Sequence, residues 1–194
     1  QKTIVGIGET LFDVVGKQRA LGGAPLNFCI MVNQLLQPQG FATAIVSAVG
    51  IDTHGTSARR HLDSAAIDTV HLQTHPTLMT GEARVHENID IDAECHFEIL
   101  SDVAWDDLRW TSALQEFTNQ VSCVVYGTLA QRSPQSRQTI HKFLAACPHA
   151  IRLFDVNLRI PHYDEETIRN ACNSATILKL NSLELPIVSD ALNM

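Results

Sequence analysis

Cys123-Val124-Val125-Tyr126 is a short, wholly apolar run, and the residues downstream of it decide the architecture. Ser133-Pro134 opens a stretch in which Ile140, Phe143 and Leu144 share one helical face, and a second strand-like run occupies residues 151–156. A strand buried on both faces reads as an unbroken apolar string, whereas a strand with one wet face alternates. Strand, one-faced helix, strand is the crossover unit of a parallel sheet. The rhythm continues with a helix bearing Ile168, Ala171, Cys172 and Ala175, then a strand at 177–180. Upstream, a helix carries Trp110, Ala113, Leu114 and Phe117. Earlier still, strands are expected at 2–8, 10–15, 41–49 and 69–72, with a helix at 56–66 turning Ala58, Leu62, Ala65 and Ala66 to one side. The pattern predicts an α/β fold, a doubly wound, mostly parallel sheet in a single domain spanning residues 1–194.

One stretch departs from this rhythm. Odd positions from Ala83 to Ile99 are apolar except Glu87, and even positions from Arg84 to Glu98 are polar. Period two over that length makes a ribbon with one greasy and one solvated face. It is expected to be an antiparallel flap over a ligand cleft or a second subunit.

Net charge is −7, which argues against a nucleic-acid footprint or an anionic-membrane surface. The longest apolar stretches are too short to cross a bilayer, and no signal-peptide core opens the chain. Five scattered cysteines without a Cys-x-x-Cys pair read as reduced thiols of a cytoplasmic protein.

Leu21-Gly22-Gly23-Ala24-Pro25-Leu26-Asn27 runs from a glycine pair straight into an apolar helix. Pro25 suits a first helical turn, and Phe28, Met31, Val32, Leu35 and Leu36 follow helical spacing, so that face is expected to be buried. Asn27 then stands at a helix mouth beside bare backbone. A capped strand-to-helix turn explains the heptapeptide equally well. Gly6-Ile7-Gly8 lacks the third glycine of a dinucleotide fingerprint, since position 11 is Leu11, which removes the basis for an NAD(P)-binding domain. Gly50 and Gly55 have P-loop spacing, but Thr56 stands where a lysine is needed. Asp13, Asn27, Asp155-Val156-Asn157-Leu158-Arg159 and Asn181-Ser182-Leu183-Glu184 all fall at or after strand ends, where open α/β sheets bind ligands. Asn181 and Glu184 also fit a capping box, and Asp155 with Arg159 a surface ion pair.

The order and spacing of five elements resemble the ribokinase/fructokinase (PfkB-type) family of carbohydrate kinases over nearly the whole chain. They are Gly8-Glu9-x-x-x-Asp13, Gly22-Gly23-x-x-x-Asn27, Gly50-x-Asp52-x-x-Gly55, Asp155-x-Asn157-x-Arg159 and Lys179-x-Asn181-x-x-Glu184. Gly-Gly-Ala-Pro is the spelling seen in fructokinases. The resemblance implies a ribokinase-like sheet with a small β lid, its segments at about 10–20 and 79–100. It implies an ATP- and Mg2+-dependent transfer of the γ-phosphate to a sugar hydroxyl, most like that of fructose or a related ketose. By the same resemblance, Asp13, Gly22, Gly23, Asn27 and Gln131 would contact the sugar. Arg159, Lys179, Asn181 and Glu184 would serve the nucleotide, Glu184 through a metal-bound water. The family's Gly-Ala-Gly-Asp signature, whose aspartate is the catalytic base, is expected beyond Met194. The abrupt join at 15–21 is likewise expected to lack residues that relatives have. The partner is a small-molecule sugar, with a homodimer through the lid as a further expectation. The alternative is a truncated, inactive sugar-binding module with a sensing or regulatory role.

Overall fold

The computed structural model describes residues 2–85 and 97–194. In chain order the strands are β1 (Thr3–Ile7), β2 (Leu11–Val15), β3 (Gln18–Gly22), β4 (Ala42–Gly50), β5 (Leu72–His75), β6 (Gly81–Val85), β7 (Phe97–Ile99), β8 (Val121–Gly127), β9 (Ile151–Asp155) and β10 (Ile177–Lys179). The helices are α1 (Ala24–Leu36), α2 (Thr53–Ser64), α3 (Ser112–Phe117), α4 (Pro134–Ala146), α5 (Glu165–Ser174) and α6 (Glu184–Leu192).

Six strands form one sheet in the order β10-β9-β8-β1-β4-β5, and every pairing in it is parallel. Strand β4 shows why its sequence is apolar throughout. Ala44, Val46 and Ala48 enter the core that also holds Phe143 of α4 and Ile168 of α5, while Ile45 and Val49 meet Leu26 of α1 and Leu62 of α2. Alternate residues thus serve opposite helical layers, so neither face tolerates a polar row. The fold is the expected doubly wound, ribokinase-like α/β sheet.

A second sheet, β3-β2-β6-β7, stands over one end of the first. β6 and β7 pair antiparallel with Ala83 opposite Ile99, and β6 also runs parallel to β2. The remainder of the alternating ribbon, including the turn near Asp92, lies outside the described residues. The sheet's root is tied down at Asp52, the residue that caps α2. Its Oδ1 accepts the Gly55 amide at 2.6 Å and the Thr80 hydroxyl at 2.8 Å, and its Oδ2 accepts the Thr80 amide at 2.7 Å. Above this tie the His54 ring stacks on Phe12, and His54 Nδ1 lies 3.2 Å from Glu82.

Three expectations need correction. Residues 15–21 are not an abrupt join: Val15 pairs with Gln18 across a two-residue turn, so the stretch is a closed hairpin. The strand expected at 69–72 is Leu72–His75, because Val70 is exposed in the turn that precedes it. The α1 face that is buried carries Leu26, Cys29 and Asn33, whereas Met31 and Leu35 are 60% and 67% exposed. Burial of Asn33 is made possible by two partners: its amide donates to the Ala65 carbonyl at 2.6 Å and its Oδ1 accepts from Thr43 at 2.7 Å.

Candidate active site

Parallel strands deliver their carboxyl ends to one edge of a sheet, and ligands collect there. In this chain that edge carries a cleft of about 270 Å³. Its polar wall consists of Glu9 after β1, Asp13 on β2, Asn27 on α1, and Asn157 and Arg159 after β9. Leu11, Ala83, Ile99 and Leu129 supply apolar wall, Ala83 and Ile99 from β6 and β7 of the second sheet, which thereby roofs the cleft.

The glycine pair makes room for the Asp13 carboxylate and for the Glu9 backbone. A Cβ on Gly22 would stand 2.6 Å from Asp13 Oδ2, and one on Gly23 would stand 2.5 Å from the Glu9 carbonyl oxygen. Gly23 also has φ +116°, a conformation that side chains resist. Of the two glycines expected to expose backbone to a ligand, Gly23 lines the cleft and Gly22 does not. Gly22 is buried and shapes the site through Asp13.

Among the described residues, two acids and one cation set the electrostatics of the cleft. Burial pushes the Asp13 carboxyl above its ordinary range, and Arg159 across the cleft pulls it back. Glu9 is more completely enclosed, and burial pushes it up to about 7 against opposing backbone hydrogen bonds and Arg159. Asn27 is exposed at the mouth, and its side chain makes no hydrogen bond among the described residues. It is free to donate and accept at once.

A second cluster lies behind the β9 loop. Asn181 Oδ1 accepts the amides of Leu183 and Glu184, and Glu184 Oε2 accepts the Asn181 amide at 2.9 Å. Glu184 Oε1 accepts the Leu158 amide at 2.9 Å, pinning the loop that carries Asn157 and Arg159. Lys179 pairs with Asp155 at 2.8 Å. These groups therefore brace the cleft from outside.

The pfkB family carbohydrate kinase model matches residues 3–193. The chain belongs to the pfkB family. No curated protein sequence matches it. An uncharacterised sugar kinase from Pyrococcus horikoshii is 25% identical with a TM-score of 0.81, covering 96% of this chain and 68% of its own. An ATP-bound fructokinase from Xylella fastidiosa has 23% identity and a TM-score of 0.82, covering 98% and 61%. Aminoimidazole riboside kinase from Salmonella enterica, solved with its riboside and an ATP analogue, gives 18% and 0.75, covering 96% and 62%. The pfkB chain thus spans 61–68% of the length of these three structures.

Within this pfkB chain, the cleft gathers Asp13, Gly23, Asn27 and Arg159. Gln131 stays out of it. The residue is fully buried; its amide donates to the Gly127 carbonyl at 2.7 Å, and its Oε1 lies 3.0 Å from His141 Nε2. Both ends are occupied, so the assignment of Gln131 to the sugar is replaced by a structural one. Lys179, Asn181 and Glu184 do not line the cleft either. Each Glu184 oxygen accepts one backbone amide, which leaves each a lone pair for a metal-bound water, and no cluster of three or more histidine, cysteine or carboxylate side chains suited to a metal occurs among the described residues. Glu9 and Asn157 belong to the sequence motifs without an expected role; each stands just past the end of a strand of the parallel sheet, the position that marks a cleft residue in this fold class.

Proposed function

We propose that this chain forms the acceptor-binding part of a cytoplasmic, ATP-dependent kinase that phosphorylates a hydroxyl of fructose or a related ketose. The observation that carries the reading is the convergence of Asp13, Glu9 and Asn27 at the carboxyl edge of the parallel sheet, under a second sheet. Two acceptors and an amide suit a ligand dense in hydroxyls, each of which donates and accepts. Asp13 accepts from the sugar, Asn27 reads a neighbouring hydroxyl, and Arg159 at the rim faces the charge that develops on a transferring phosphoryl group. The second sheet acts as a lid whose closure removes water, the main competing acceptor. The brace of Lys179, Asn181 and Glu184 holds the Arg159 loop on the nucleotide side. ATP as donor is supported by family membership and by the ATP-bound kinases of the same fold.

Calorimetric titration with fructose tests the acceptor site. Asn27→Ala should weaken binding by about 0.5–1.5 kcal/mol, the net worth of a hydrogen bond made at an exposed cleft mouth. Unchanged affinity in a normally folded variant would reduce Asn27 to a residue of the α1 entry turn. Fructose binding without phosphoryl transfer from ATP by this chain would favour the sugar-binding module.

A further inference from the structure

Glu9 is only half used by the protein. Its Oε1 accepts the Ala24 amide at 2.9 Å, satisfying an orphan N–H at the start of α1 that Gly23, with no side chain, cannot reach. Its Oε2 has no hydrogen-bond partner among the described residues, although the residue is only 2% exposed and lines the cleft. A buried carboxyl oxygen without a donor is costly, and one at a ligand site is a place kept for a ligand donor. Among the described residues, the charged groups facing it are Asp13 from β2 and Asp155 and Arg159 from β9 and its loop, while the first turn of α1 contributes no acidic side chain. Asp155 is paired with Lys179, which leaves the carboxyls of Glu9 and Asp13 against Arg159 alone, so a further anion at this floor would be repelled, whereas a neutral hydroxyl is accepted.

We propose that Glu9 Oε2 receives a hydroxyl of the acceptor, making Glu9 a specificity residue that restricts this end of the cleft to uncharged polyhydroxyl compounds and rejects carboxylates there. The inference rests on the sugar-site reading above and adds to it the class of acceptor and the residue that enforces it. A site built around a hydroxyl discriminates strongly, because its buried polar group is stranded when the hydroxyl is absent.

Glu9→Gln separates this role from the helix-capping one. The side-chain carbonyl still accepts the Ala24 amide, but the second position becomes a donor and no longer an acceptor. The experiment titrates fructose, and gluconate as the acid analogue, into the wild-type chain and the variant, with thermal unfolding to confirm folding. The expected result is a fructose Kd raised about ten-fold or more in Glu9→Gln. The gluconate-to-fructose affinity ratio should shift toward the acid, which a purely structural role would leave unmoved. If the variant binds fructose as the wild type does, with the same ratio, Glu9 only caps α1 and the inference is overturned. If the wild type binds neither fructose nor gluconate, the sugar-site reading itself fails, and the inference with it.

Discussion

The ionisation of Glu9 should be visible in the stability of the unliganded protein. Burial pushes its carboxyl from 4.5 up to about 7 in the folded chain, while the unfolded chain releases the proton near the ordinary value. Between these limits the unfolded state binds fewer protons than the folded one, so stability falls as pH rises and the loss is complete above the folded pKa. A separation of about 2.5 units corresponds to about 3 kcal/mol in all, of which about 2.5 kcal/mol falls between pH 5 and pH 8. Glu9→Gln removes the titration and keeps the Ala24 hydrogen bond, so comparing the two proteins cancels every other ionisation. Urea unfolding followed by circular dichroism at pH 5, 6, 7 and 8 measures the difference. The variant should gain steadily on the wild type with rising pH, by about 2.5 kcal/mol over that range. Parallel curves, within about 0.5 kcal/mol, would refute the reasoning and show that Glu9 is ionised against a compensating donor.

Gly23→Ala should destabilise the fold by about 2 kcal/mol or more in thermal unfolding, since a side chain at φ +116° would also press on the Glu9 carbonyl. Asp52→Ala removes three hydrogen bonds that tie the α2 cap to Thr80; a loss of about 1–3 kcal/mol is expected, with faster hydrogen exchange at the Thr80 amide beside β6. Glu184→Ala should cost about 2–3 kcal/mol and abolish exchange protection at the Leu158 and Asn181 amides, whereas unchanged protection would mean that the brace does not hold the Arg159 loop.

The central sheet was legible because burial on both faces leaves a one-dimensional trace: no polar residue interrupts Val124, Val125 and Tyr126, and β4 is apolar almost throughout. The hairpin of β2 and β3 left no such trace. Gln18, Arg19 and Ala20 are exposed, so that strand carries no burial pattern, and only its pairing with β2 defines it. Helix α1 was misread for the opposite reason. It carries two apolar stripes, and the buried one contains Asn33, whose polarity hides it from a hydrophobic pattern. Which stripe faces inward is decided by Ala65 and Thr43, residues distant in sequence that satisfy the Asn33 amide. Periodicity can say that a helix has an apolar face; it cannot choose between two faces when the choice rests on tertiary hydrogen bonds.

The site divides along the same line. Asp13, Asn27 and Arg159 could be located because in a parallel sheet the residues after strand ends converge, whatever their type. Their neighbours could not be assigned that way, because polar residues at strand ends either face the ligand or hold the scaffold, and residue type does not distinguish the two. Gln131 and Glu184 have a protein partner at every polar atom, and neither lines the cleft. Among the described residues, Glu9 has one oxygen spoken for and one not. The distinction is an inventory of hydrogen-bond partners, and it exists only once the backbone amides of Ala24, Leu158 and Asn181 have been placed. That inventory gives the glycine pair its meaning as well. Gly22 is small so that the Asp13 carboxylate can stand beside it, and Gly23 so that the Glu9 backbone can pass the entry of α1, which lets both acids line one cleft.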